Sequence, residues 1–83
     1  MNDISFSEAR QVAVKAIEKL AHEEHLGDLM IIDEAVVETD SAWYFPYDST
    51  AFTLHGNISA ALAGNLPARV AKDDASVTFA VPQ

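Results

Sequence analysis

Cysteine is absent from the sequence, which excludes disulfides and thiolate metal centres and fits a reducing compartment, with the cytoplasm as the expected location. No apolar run approaches the roughly 20 residues of a membrane span, and Met1 to Glu8 shows neither the positive start nor the apolar stretch of a secretory signal. A soluble protein is expected, with no membrane partner. Glycine is scarce: Gly27, Gly56 and Gly64 are the only three, too far apart to make a phosphate-cradling loop. Basic residues are few as well. Five Lys and Arg stand against 13 Asp and Glu, a net charge of −8 at pH 7, and neither Lys nor Arg occurs between Lys19 and Arg69. Such a surface repels phosphate backbones, which argues against nucleic acid, and draws in a basic protein. Acidity also keeps a protein soluble, and that role alone would account for it equally well.

What is present suits one small domain spanning 1–83, because 83 residues build a single core. Surface scaling predicts a folded area of roughly 5,000 Å². Phe6, Ala9, Ala13, Ala16, Ile17 and Leu20 recur at helical spacing, predicting an amphipathic helix over 5–26. Ser5 and Glu8 form a capping-box pattern at its start, and Gly27 is the expected stop. The β-branched run from Leu29 to Thr39 predicts one long strand, bent near Asp33-Glu34. After a turn at Asp40-Ser41, Ala42 to Tyr47 alternates so that Trp43, Phe45 and Tyr47 share one face and Tyr44 and Pro46 the other. Pro46 cannot donate to a ladder and marks an edge or a bulge.

A short extended piece is expected over 51–54, then a short helix over 58–63 capped by Gly64. Asn65 tolerates the turn and Pro67 fixes the exit by holding Leu66 extended. Strands over 68–72 and 76–81 close the chain through Asp73-Asp74. The predicted fold class is α+β, an N-terminal amphipathic helix packed on one face of a small antiparallel sheet, with a short second helix before the last two strands.

No residue set carries chemistry. His22-Glu23-Glu24-His25 spaces its imidazoles three apart, where the zinc-protease pattern needs four and a third ligand, so it is read as a solvated helix end and no metal is expected. His55 with Asp48, Ser49 and Thr50 lacks the geometry of a triad and is read as a loop histidine. Asp33-Glu34 and Asp73-Asp74 are adjacent pairs, which on a strand point apart and in a turn are solvated. No catalytic residue and no cofactor is assigned. The residues proposed to meet a partner are the acids Asp33, Glu34, Glu38, Asp40 and Asp48 with the aromatics Tyr44 and Phe52. Trp43, Phe45, Gly64, Asn65 and Pro67 are assigned structural roles. No pattern specifies an oligomeric state.

The stretch from Val37 to Val70 places an acidic turn before Ala42-Trp43-Tyr44-Phe45-Pro46-Tyr47, then Ala61-Leu62-Ala63-Gly64-Asn65-Leu66-Pro67 before Ala68-Arg69-Val70. This order resembles the immunity protein 35, or YrhB-like, family of small bacterial proteins. The chain departs from the family pattern at Asp73-Asp74-Ala75, where a glycine is common, and in its short end, Val81-Pro82-Gln83. The resemblance implies an immunity protein of a polymorphic toxin system, which binds and neutralises a cognate toxin. It implies as the alternative a chaperone-like or assembly module that binds unfolded or partner polypeptides.

Overall fold

The computed structural model describes residues 3–82; Met1, Asn2 and Gln83, which belong to the expected 1–83 domain and in part to the leader reading, lie outside them. Helix α1 spans Phe6–Glu23. The expected capping box forms at its start: the Glu8 amide donates to Ser5 Oγ at 3.1 Å and the Ser5 amide to Glu8 Oε1 at 3.2 Å. Ala9, Ala13 and Ile17 make the buried stripe. Alanine at two of these positions lets the helix axis approach the sheet closely.

The helix stops before Gly27, which corrects the expected end. His25 takes the left-handed conformation, φ 54°, while the Leu26 amide donates to the Ala21 carbonyl at 2.9 Å. That bond is the outer one of a Schellman closure, with a non-glycine residue in the left-handed place.

The strand expected over 29–39 is broken in two. Strand β1, Leu29–Ile31, pairs antiparallel with β4, Tyr47–Ser49, in a two-stranded sheet. Strand β2, Val37–Glu38, pairs with β3, Ala42–Phe45, at the edge of a four-stranded sheet ordered β2-β3-β5-β6. Between β1 and β2 the residues Asp33–Ala35 form a 3-10 turn. The chain changes sheet at that point, and Arg10 on α1 binds Asp33 there with two hydrogen bonds, Nε to Oδ1 at 2.8 Å and Nη2 to Oδ2 at 2.9 Å.

Pro46 divides the aromatic run in the same way. It lies between β3 and β4 and offers only its carbonyl, which accepts from the Ile32 amide at 2.9 Å. The expected alternation survives the break. Trp43 pairs with Val70 and Phe45 with Ala68, on the face under α1, where the Phe6 ring meets Trp43 edge-on at 5.1 Å. Phe45, Tyr47, Ala68 and Val70 join Ala9, Ala13, Ile17 and Ile31 in one core.

The next segment is helical where an extended piece was expected. Ser49 caps α2, Thr50–His55, by accepting the Phe52 amide at 3.0 Å, and Gly56 closes it at φ 69°. A serine at the N-cap and a glycine at the left-handed position outweigh the β-branched content of so short a stretch. The helix expected over 58–63 is only a 3-10 turn, Ile58–Ala60. Gly64 has φ 75° but follows irregular chain, so it caps no helix. Strands β5, Ala68–Ala71, and β6, Val77–Phe79, close the sheet antiparallel. The fold is α+β, as expected.

Candidate functional site

The acids singled out from the sequence divide into two sets. Asp33 forms the ion pair with Arg10; the guanidinium hydrogen bond holds its carboxyl below the ordinary 3.8. Glu38 accepts from Lys72 Nζ at 2.6 Å, and that ammonium also lies 4.9 Å from the centre of the Trp43 ring. Asp48 is turned inward: its Oδ1 accepts the Ser49 amide at 2.7 Å and the Leu62 amide at 2.8 Å. Glu34 and Asp40 are exposed and form no ion pair among the described residues.

The aromatics are less open than a contact residue would be. Tyr44 is only 7% exposed, on the sheet face away from α1, and its hydroxyl accepts from Arg69 Nε at 3.2 Å. Phe52 is half-buried within α2. Arg69 in turn faces a depression of about 440 Å³ lined by Asp3, Asp40, Asp73 and Asp74. The Asp74 carboxyl lies below its ordinary value because it accepts the Ser76 amide.

Of the residues assigned to structure, Phe45 is fully buried and Trp43 half-buried. Asn65 Nδ2 donates to the Tyr47 carbonyl at 2.9 Å, tying the loop after the 3-10 turn to β4. Pro67 leads into β5, and its carbonyl accepts the Ala80 amide at 3.1 Å. Burial raises the Tyr47 phenol above its ordinary value.

His22 and His25 stand on a depression of about 440 Å³ between the end of α1 and β1, with Glu18 and Asp28. Among the described residues no group of three His, Asp or Glu is placed to hold a metal ion. His55 is in the last turn of α2, not in a loop. Ser49 is buried with its hydroxyl committed to the helix cap. No helix of the described residues is long and apolar enough to cross a membrane.

One surface feature was not singled out from the sequence. The side chains of Leu54 and Ile58 are 62% and 80% exposed, and Leu66 is 43% exposed. Their signal was present in the composition: from Ser49 to Ala68 there is no Asp, Glu, Lys or Arg. This lobe comprises α2, the 3-10 turn and the loop into β5.

Compared with models of protein families, residues 8–83 match Immunity protein 35. No curated protein and no solved structure matches the chain.

Proposed function

The chain belongs to the Immunity protein 35 family, and on that premise we propose that it neutralises a cognate toxin of a bacterial polymorphic toxin system by binding it one to one. It acts in the cytoplasm as one domain, by occupancy and without chemistry of its own. The observation that carries this reading is the family match over nearly the whole chain. The charge supports it: a surface of net −8 steers a basic partner into encounter. Size supports it too. A standard interface takes about 800 Å² from each partner, a modest share of the 5337 Å² this molecule exposes.

The test is co-production with the C-terminal domain of each large secreted protein encoded beside this gene. Cells that make both are expected to survive, and the two proteins to co-elute as a one-to-one complex. Death of cells that make both sinks the reading. Suppression of aggregation across unrelated unfolded proteins, without a tight complex, would favour the chaperone-like alternative, for which the exposed Leu54 and Ile58 would serve equally.

A further inference from the structure

We propose that the uncharged lobe carrying the exposed Leu54 and Ile58 is the surface that docks the toxin, and that the acids outside it act at longer range. The inference rests on the toxin-binding reading and names the contact within it. A single exposed apolar side chain is ordinary, but several gathered on one part of a small protein mark a surface that something covers, and Leu54, Ile58 and Leu66 all belong to this lobe. Interface centres are apolar and depleted of charge, and rims are polar. The chain reproduces that division along its length: 20 residues without a charged side chain other than His55, in a molecule of 13 acids and five bases.

The lobe is held in shape before any partner arrives. Ser49 and Gly56 cap α2 at its two ends, the Asn57 amide donates to the Ala51 carbonyl at 3.2 Å, Asp48 accepts the Leu62 amide and Asn65 reaches the Tyr47 carbonyl. A surface ordered in advance loses less conformational entropy on binding. Asp48 and Asn65, the first expected at the contact itself, are on this account positioning residues behind it.

Charge decides between a foreign partner and a second copy. The elements packed on α2 are β1, β4 and the 3-10 turn, and none contains Lys or Arg. Asp28 borders the start of α2, its carbonyl accepting the Thr50 amide at 2.9 Å. Two copies meeting here would bring two charges of −8 together, with no basic side chain on these elements to relieve them. The occupant is therefore a foreign protein with an apolar contact surface and a positive net charge.

The experiment replaces Leu54 and Ile58 together by Gln, which removes the apolar contact and leaves the charge unchanged. Binding to the toxic domain against which the parent protects cells is expected to weaken at least about thirtyfold, mainly through faster dissociation, with the melting midpoint unchanged. Glu34→Gln with Asp40→Asn is expected to slow association instead. Wild-type affinity in the Leu54/Ile58 double variant, while the parent still protects cells, overturns the inference and leaves the toxin-binding reading standing. A parent that fails to bind the domain overturns both. A parent that is dimeric, and becomes monomeric in the double variant, assigns the lobe to a second copy and overturns the choice of partner.

Discussion

Phe45 and Trp43 stand two residues apart on the same sheet face, yet the structure gives them different weights. Phe45 is completely enclosed, and Trp43 is half-buried between the Phe6 ring and the Lys72 ammonium. Phe45→Ala is expected to cost about 3–5 kcal/mol and Trp43→Ala about 2–3 kcal/mol, because the second cavity is partly open to water. Urea titration of both variants checks the order; an equal or larger loss at Trp43 would mean that its packing on Phe6 and Lys72 is part of the core proper. Ala75 presents the opposite case. Its φ is 60°, and an L-residue there is strained by roughly 1–2 kcal/mol. Ala75→Gly is expected to raise stability by about 0.5–1 kcal/mol, the relief of strain being offset in part by the freedom glycine gains in the unfolded chain. A lower melting midpoint would show that the Ala75 methyl, which packs against the core, matters more than its backbone.

Helices α1 and α2 both begin with a serine that accepts an amide three residues on, but they depend on it differently. Helix α1 has 18 residues and a buried stripe, whereas α2 has six and no buried residue. Ser49→Ala is expected to cost about 1 kcal/mol and to speed amide exchange over 50–55 while leaving α1 protected. Uniform loss of protection through both helices would mean that α2 is not an independent unit. The same two helices show what patterning conveys. Helix α1 is legible because 18 residues repeat its apolar period several times and carry a reciprocal cap. Helix α2 is not legible because six residues hold fewer than two turns, too few for a period to be distinguished from Thr and Phe content.

Across the whole molecule the 13 acids repel one another, and only Arg10–Asp33 and Lys72–Glu38 form ion pairs among the described residues. Arg10–Asp33 is exposed and contributes at most about 1 kcal/mol, and Lys72–Glu38 is open to solvent on its Glu38 side, so screening the net repulsion outweighs screening the pairs. Added sodium chloride is therefore expected to raise the melting midpoint and, in the same range, to slow association with a basic partner. A midpoint that falls with salt would show that the ion pairs dominate. Acid acts through Asp33 and Asp74, whose folded values lie below the ordinary 3.8. Their contribution is complete above 3.8 and is lost as pH falls through the lower folded values. Asp33→Asn with Asp74→Asn is expected to make the acid limb of the stability curve shallower, as followed by thermal melts across that range; an unchanged limb would place the acid sensitivity in other carboxylates.

The amino-acid order by itself determined α1 and its cap, the shared face of Trp43 and Phe45, the closing hairpin and the sign of the surface charge. These follow from interactions spanning a few residues or from composition, and both can be counted along a line. Tertiary structure alone decided where the 29–39 and 42–49 segments break, and which acids remain free. Asp33 meets Arg10 from 23 residues away, Asp48 meets Leu62 across 14 and Lys72 meets Glu38 across 34. It also decided which apolar side chains stay outside: a chain this small encloses only a limited volume, and the folded packing leaves Leu54 and Ile58 on the surface while Phe45 and Val70 fill the interior.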